Sequence, residues 1–252
     1  MRIRASAAVV GGALALSALA VPAAQASGSQ GDTKITKVVV DGDNKVSIGT
    51  SGAVTFKVSV TATDDSGIKD ADSFDLFGPG YGVESTGKPT CTRVNATTST
   101  CTGTVKIDPR VDYLLNKNAG TWYVDAWINA DDEDYVWQEK AGSFWFQRAA
   151  KLTVNAAPEP VKKGRTLTVT GALTRANWES LKYGGYGSQS VQLQFRKKGA
   201  GAYTTLKTVK ADSKGNLKTT TTATADGYYR FSFAGNSSTA ATSAAGDYVD
   251  VQ

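Results

Sequence analysis

The segment VTFKVSVT at residues 54–61 alternates apolar and polar side chains without interruption. A period of two residues is the signature of a β-strand with one buried face. The same alternation recurs at residues 165–170, 191–196 and 229–233, and turn residues separate the runs. After residue 26 no run of helix-forming residues is in amphipathic register, and Thr, Val, Tyr, Gly and Ser dominate. The sequence therefore predicts an all-β fold.

The predicted strands follow one another at a spacing of about 8–12 residues, which is typical of a β-sandwich. In the first half they are residues 34–40, 54–61, 73–77, 89–95, 100–107, a segment after Gly120, 135–138 and 143–147. In the second half they are residues 151–154, 165–170, 191–196, 229–233 and 248–251. These eight and five strands, against the roughly seven expected of one sandwich, predict two sandwiches in tandem.

The beginning of the chain has the pattern of a secretory signal peptide. Arg2 and Arg4 form a positive region, residues 5–20 are almost entirely apolar, and residues 24–26 read Ala-Gln-Ala. This order predicts cleavage after residue 26, a mature chain that starts at Ser27, and a secreted, extracellular protein. No later stretch reaches the roughly 20 apolar residues that cross a bilayer, so no membrane span is predicted.

The rest of the chain divides into an acidic and a basic part. Residues 27–150 hold 12 Lys and Arg against 17 Asp and Glu, a net charge of −5, whereas residues 151–252 hold 14 against 6, a net charge of +8. At about 100–150 residues per domain, the length corresponds to two domains. We place the boundary at residues 148–150, because a new strand begins directly afterwards.

The composition excludes several kinds of chemistry. The chain has no histidine, so Ser-His-Asp and Cys-His catalysis and histidine-based metal sites are excluded. A glycosidase would need two carboxylates facing each other across a cleft, and no motif places such a pair. We therefore expect a protein that is not an enzyme, with no catalytic residues.

Cys91 and Cys101 are the only cysteines. Export places them in an oxidising setting, and their spacing suits two neighbouring strands near a hairpin. The sequence predicts a disulfide between them. Closing so short a loop stabilises a fold by roughly 2.5–3 kcal/mol on the chain-entropy model.

Several motifs resemble those of bacterial immunoglobulin-like repeats. The stretches GYYRFSFAGN (227–236) and DYVDV (247–251) look like the last two strands of such repeats, and VQLQFRKK (191–198) is similar to their middle part. In the first half, AGTWYV (119–124) and DDSGI (64–68) resemble another variety of the same module. The resemblance implies two immunoglobulin-like β-sandwich domains and a role as a spacer, an adhesive or a carbohydrate-contacting module.

Aromatic side chains form the main candidate contact surface. Alternation in the strand after Gly120 places Tyr123 and Trp127 on the face opposite Trp122, so both faces of that strand carry aromatic rings. Exposed rings of this kind stack on sugars or on partner side chains; the alternative is that they lie beneath a loop or against the second domain. In the second half, Trp178 occupies a predicted long loop and either plugs the sandwich end or lines a recognition surface. The candidates are Tyr123, Trp127, Trp137, Trp178, Tyr183 and Tyr186.

An acidic turn is a candidate calcium site. Asp131, Asp132 and Asp134 flank Glu133, and Ca²⁺ takes six to eight oxygen ligands. The alternative is a solvated turn, because Asp, Asn and Gly are also selected by turns for backbone reasons. No other cofactor is indicated.

The expected partner is an extracellular polymer or a protein surface. Basic residues are spread over the second half without a nucleic-acid-binding motif, so nucleic acid is not an expected partner. The sequence favours a secreted, non-enzymatic binding or surface-structural protein. A small-ligand carrier or hydrolase inhibitor, which needs a pocket bounded by aromatics, and a calcium-dependent adhesive module, which needs converging carboxylates, stay open as alternatives.

Overall fold

A computed structural model describes residues 27–252, and the predicted signal peptide lies outside this range. Over the described residues the chain forms 21 strands and a single 3-10 turn at Asn116–Asn118. The predicted all-β class is confirmed. In this part of the chain no helix has the length and hydropathy that would let it cross a membrane.

Eleven strands make up the first half. They are β1 (Ser27–Gln30), β2 (Lys34–Val40), β3 (Lys45–Ile48), β4 (Val54–Thr63), β5 (Ile68–Ala71), β6 (Asp75–Gly78), β7 (Tyr81–Glu84), β8 (Thr90–Asn95), β9 (Thr98–Ile107), β10 (Gly120–Ala130) and β11 (Tyr135–Arg148). One sheet has seven strands in the order β1-β11-β10-β6-β7, with β3 parallel to β11 and β5 paired to β10. The other has the order β2-β4-β9-β8.

These two sheets enclose the first hydrophobic core. Phe56, Val58 and Val60 on β4 point inward and are buried, as the alternation of residues 54–61 predicts. From the seven-stranded sheet, Trp122 packs 4.2 Å from Phe146 between ring centroids. Burial of apolar surface at about 25 cal/mol per Å² makes this packing the main source of stability.

The predicted disulfide is confirmed. Cys91 on β8 lies directly opposite Cys101 on β9 in the register of the hairpin, and the two residues are bonded. Cys101 is fully buried, so the bond ties the edge strand β8 to the sandwich.

Ten strands make up the second half. They are β12 (Ala150–Leu152), β13 (Asn155–Ala157), β14 (Thr166–Asn177), β15 (Lys182–Gly185), β16 (Ser190–Lys197), β17 (Thr204–Lys210), β18 (Asn216–Thr222), β19 (Gly227–Phe233), β20 (Thr242–Ser243) and β21 (Asp247–Val249). One sheet joins β12, β13, β15 and β18 to β14, and the other has the order β17-β16-β19-β20 with β21 on β19. Between them Leu167, Val169, Leu193 and Phe231 form a second core.

Two differences from the predicted elements concern the site. Residues 135–138 and 143–147 belong to one strand, β11, because a register shift opposite Val124 and Ala126 lets pairing continue across the intervening residues. Trp178 does not lie in a long loop: β14 ends at Asn177 and β15 begins at Lys182, so Trp178 starts a tight hairpin. Threonine-rich strands such as β18 lack clear apolar alternation and were missed.

The connection between the halves is short and follows a buried arginine. β11 ends at Arg148 and β12 begins at Ala150. Arg148 is 8 % exposed, and its Nε donates to the carbonyl oxygen of Ala176 at 2.5 Å. Burial, together with the nearby charge of Arg175, lowers the pKa of Arg148 to about 10. The two cores therefore meet at a packed junction.

Candidate functional site

The outer face of the seven-stranded sheet gathers aromatic and acidic side chains from four adjacent strands. Cross-strand register places Glu84 opposite Asp75 and Asp75 opposite Asp125. It likewise places Phe77 opposite Tyr123 and Trp127 opposite Trp137. We call this surface the aromatic–acidic face; its members are Asp75, Phe77, Glu84, Tyr123, Asp125, Trp127, Tyr135 and Trp137.

Three rings on this face form a stack. The ring of Trp127 lies 5.1 Å from that of Tyr135 with an interplanar angle of 18°, and 6.3 Å from that of Trp137 with an angle of 28°. The Trp127 side chain is 37 % exposed, so neither a loop nor the second half covers it. The stack is therefore partly exposed to solvent.

Hydrogen bonds hold both indoles in place. Trp137 Nε1 donates to Asp125 Oδ1 at 2.7 Å, and Trp127 Nε1 donates to Asn129 Oδ1 at 2.9 Å. Asn129 Nδ2 in turn donates to Asp70 Oδ1 at 2.8 Å, while Lys88 Nζ holds Asp70 Oδ2 at 2.8 Å. Because the rings are fixed before any partner arrives, binding costs less side-chain entropy.

Glu84, Asp75 and Asp125 form a row of like charges across three neighbouring strands. Like charges directly opposite each other destabilise a sheet. Desolvation and the charge of Glu84 raise the pKa of Asp75. Desolvation also raises the pKa of Asp125, although the hydrogen bond from Trp137 opposes the change. Within residues 27–252, none of the ion pairs involves these three carboxylates.

The acidic row and the ring stack border one cleft of about 450 Å³. Asp75, Glu84 and Asp125 line the cleft together with Trp127 and Trp137. Lys88 also reaches the cleft, but its ammonium is paired with Asp70. Ionised carboxylates only accept hydrogen bonds, and the faces of indole rings attract cations. This arrangement can therefore hold a group that is positively charged and donates hydrogen bonds.

Trp178 requires a correction. It is 2 % exposed and packs in the first core, 5.4 Å from the ring of Phe146. It therefore does not line a contact surface, because its apolar bulk fills the gap where β14 of the second half meets the first core.

Tyr183 and Tyr186 lie near this junction and do not join the aromatic–acidic face. Tyr183 is half-buried, and Lys151 Nζ lies 4.0 Å from its ring centroid. Tyr186 packs edge-on against Phe233 at 5.9 Å, lies under the guanidinium of Arg175 at 3.9 Å, and accepts a hydrogen bond from Asn236 Nδ2. Of the six predicted aromatic residues, the structure brings together Tyr123, Trp127 and Trp137.

The acidic turn is arranged differently from the predicted calcium trio. Asp131 turns toward Arg93, with 3.6 Å between Oδ2 and Nη2. Asp132 and Asp134 instead approach carboxylates that are distant in sequence. Two trios have oxygens within 4.8 Å of one another, Asp32, Asp64 and Asp134 in one, and Asp64, Asp65 and Asp132 in the other.

Asp64, which the two trios share, is already satisfied by the protein. Its Oδ2 accepts from Thr33 Oγ1 at 2.6 Å, and its Oδ1 accepts from the backbone N–H of Ser66 at 2.9 Å and from Ser66 Oγ at 2.6 Å. Burial by itself would raise the pKa of Asp64, but these hydrogen bonds outweigh it and lower the pKa. Hydrogen bonds from the protein itself therefore stabilise the buried carboxylate of Asp64.

Several members of the aromatic–acidic face were missed in the sequence. Asp75, Phe77 and Glu84 come from short strands, and Tyr135 was placed on a strand but not on the candidate surface. Alternation in the sequence places Asp125 on the same face of β10 as Tyr123 and Trp127, but Asp125 was not among the candidate residues. Strand pairing decides which acidic residues lie beside Asp125, and alternation within one strand does not predict strand pairing.

Fold and site together define an all-β protein of sandwich domains, whose candidate site is an open sheet face. No family model matches the sequence, and no curated protein matches it. The chain is similar in structure to three N-terminal domains of the highly immunogenic outer capsid protein of bacteriophage RB49, with a TM-score of 0.30, 11 % identity, and coverage of 87 % of this chain and 71 % of that one.

Two further solved structures are similar to this chain with comparable TM-scores. The Escherichia coli alpha-2-macroglobulin activated by porcine elastase has a TM-score of 0.29 and 13 % identity, over 86 % of this chain and 20 % of that one. A chimeric titin Z1Z2 carrying a decorin peptide has a TM-score of 0.26 and 10 % identity, over 90 % of this chain and 98 % of that one. Scores of this size carry no argument about function.

Proposed function

We propose that this chain is an exported, non-enzymatic binding or surface-structural protein, built from domains of the bacterial immunoglobulin-like kind. Its binding site is the aromatic–acidic face, and its extracellular partner presents positively charged groups along an extended surface. The observation that carries the proposal is the row Glu84, Asp75 and Asp125, which has no ion-pair partner in the described chain and lies beside fixed, exposed rings.

Export rests on the pattern of residues 1–26 and agrees with the disulfide, because such bonds persist in oxidising compartments. A binding role rests on the shape of the site. The cleft lies open on a sheet face. This shape suits a polymer or a protein surface better than a small molecule, because a small-molecule pocket encloses most of its ligand's surface.

A cationic partner explains why the acidic row is kept. Three carboxylates on neighbouring strands repel one another and weaken the sheet, so their cost is offset when a partner neutralises them. An ammonium or guanidinium over the face of an indole gains about 0.5–2 kcal/mol. Ionised Asp75 and Asp125 would accept hydrogen bonds from the same group.

The test uses two soluble cationic probes, a six-residue lysine peptide and a glucosamine hexamer, with the N-acetylglucosamine hexamer as the neutral match. Binding is measured by calorimetry at low salt. We expect Asp75→Asn with Asp125→Asn to weaken binding of the charged probes at least tenfold, about 1.4 kcal/mol. The matched control is Asp43→Asn with Asp65→Asn, which removes the same charge from elsewhere in the first half.

The proposal is supported if the charged probes bind, the neutral one does not, and only the face variant loses binding. It is overturned if neither charged probe binds. Equal loss in the control variant would also overturn it, since the attraction would then come from net charge rather than from the face.

A further inference from the structure

A second surface, on the outer face of the sheet that contains β16 and β19, has the opposite charge. Cross-strand register places Arg196 opposite Tyr228 and Tyr228 opposite Tyr248. Arg230 lies on the same side of β19, two residues after Tyr228. We call this surface the arginine–tyrosine face; its members are Arg196, Lys198, Tyr203, Tyr228, Arg230 and Tyr248.

Tyrosine rings hold the two guanidinium groups in place. The Arg230 guanidinium carbon lies 3.8 Å from the centroid of Tyr203, and that of Arg196 lies 4.5 Å from the centroid of Tyr228. Arg230 Nε donates to Gln194 Oε1 at 2.9 Å. A guanidinium that is stacked and held at one edge keeps its plane, and its remaining N–H groups can meet a carboxylate with two hydrogen bonds.

The two arginines, like the acidic row, lack an ion-pair partner among residues 27–252. In the described part of the chain no ion pair includes Arg196 or Arg230, and Arg196 Nε is buried without a hydrogen-bond partner. Lys198 is 3.8 Å from Asp226. One molecule thus carries a face of unneutralised carboxylates and a face of unneutralised guanidinium groups.

We propose that the partner of the aromatic–acidic face is the arginine–tyrosine face of a second copy of this chain. The inference rests on the proposed function and names its partner. Carboxylates of one copy meet guanidinium groups of the next, and rings of both copies cover the pairs. Charge complementarity favours a second copy as the partner. Residues 27–150 are acidic and residues 151–252 are basic, so each copy carries both of the surfaces that the contact needs.

The contact joins two different faces, so it is head-to-tail. A symmetric pairing of two identical faces would place like charges against each other. A head-to-tail contact leaves one face free at each end, and further copies add to form a filament or a ring. A surface-structural role follows, since an exported protein of this kind assembles once released.

The experiment uses two complementary full-length variants. The first, Asp75→Asn with Asp125→Asn, lacks the acidic row and keeps the arginines. The second, Arg196→Gln with Arg230→Gln, lacks the arginines and keeps the acidic row. Sedimentation velocity is recorded for each protein alone and for an equimolar mixture, at about 0.02 M and 0.3 M salt, where screening lengths differ several-fold.

We expect the native protein to form species larger than a dimer in a concentration-dependent way at low salt, and to dissociate at high salt. Each variant alone stays a monomer. The mixture forms dimers and nothing larger, because one functional face remains on each variant. Matched controls, Asp43→Asn with Asp65→Asn and Lys162→Gln with Lys218→Gln, self-associate like the native protein.

The proposal is overturned if the native protein is monomeric at every concentration and salt, if its assembly is insensitive to salt, or if the variant mixture stays monomeric. If either double variant fails to fold by circular dichroism, the single variants Asp75→Asn and Arg230→Gln replace the pair, and the same outcomes apply. A native protein that is monomeric yet binds the lysine peptide or the glucosamine hexamer through Asp75 and Asp125 refutes self-association and keeps the proposed function. A native protein that does neither refutes both.

Discussion

Trp178 donates its indole N–H to the carbonyl oxygen of Ile48 at 3.1 Å. The same oxygen accepts the backbone N–H of Ala149 at 2.8 Å. A single carbonyl on β3 therefore binds the connection between the halves and a side chain of the second half. The packing of Trp178 against Phe146 makes this junction part of the first core.

Truncation of Trp178 is expected to destabilise the protein strongly. Trp178→Ala should lower the free energy of unfolding by about 3–5 kcal/mol, the range for large aromatic truncations in a core. Trp178→Phe keeps much of the bulk but loses the hydrogen bond to Ile48, so a smaller loss, about 1 kcal/mol for the bond, is expected. Urea unfolding measures both, with Trp145→Ala at a ring that is 40 % exposed as the control. A loss under 1 kcal/mol for Trp178→Ala would show that the junction does not stabilise the fold.

Neutralising Asp125 is expected to stabilise the protein in a pH-dependent way. Desolvation raises the pKa of Asp125 above its usual value of 3.8, so the folded state holds this proton more tightly than the unfolded state. That stabilisation is complete below pH 3.8 and is lost as pH rises through the folded pKa. Asp125→Asn stays neutral and can still accept from Trp137.

The gain from Asp125→Asn is expected to reach up to about 1 kcal/mol at neutral pH, the scale of a cross-strand pair, and to vanish in acid. Urea unfolding across pH measures it, and Asp43→Asn is the control. A gain that is the same at every pH would mean that the ionisation of the desolvated Asp125 is not its cause.

Cleavage of the signal peptide and formation of the disulfide are expected to give the secreted protein a defined intact mass. The secreted protein should begin at Ser27, within a few residues, and weigh two hydrogens less than its reduced form, because Cys91 and Cys101 are bonded. Intact-mass measurement of secreted material tests both points. Cys91→Ser with Cys101→Ser should lower the free energy of unfolding by roughly 2.5–3 kcal/mol. Two free thiols in secreted material would remove the basis of the compartment assignment.

Calcium is expected to be unnecessary for folding. Thr33 and Ser66 already satisfy the buried carboxylate of Asp64, and each half has its own apolar core. Melting curves with calcium and with chelator should coincide. Separation by more than a few degrees would identify a structural ion, and Asp132→Asn and Asp134→Asn would then be the first variants to make.

The sequence by itself determined the features that depend only on residues close together in the chain. Alternation is a property of a single strand, so residues 54–61 predicted β4 and its inward side chains Phe56, Val58 and Val60. It also placed Tyr123 and Trp127 on the face opposite Trp122. The signal-peptide pattern, the close spacing and the lack of other cysteines together predicted the bond between Cys91 and Cys101.

Only the tertiary structure decided which strands are neighbours. A period of two residues states which way a side chain points and nothing about what lies beside it, so the row Glu84, Asp75 and Asp125 emerged from strand register alone. Trp178 could not be placed from its hairpin, because the cavity that it fills belongs to the other half of the chain. Strand pairing and core packing join residues distant in sequence, and the free energy of those contacts depends on the assembled sheets rather than on any local pattern.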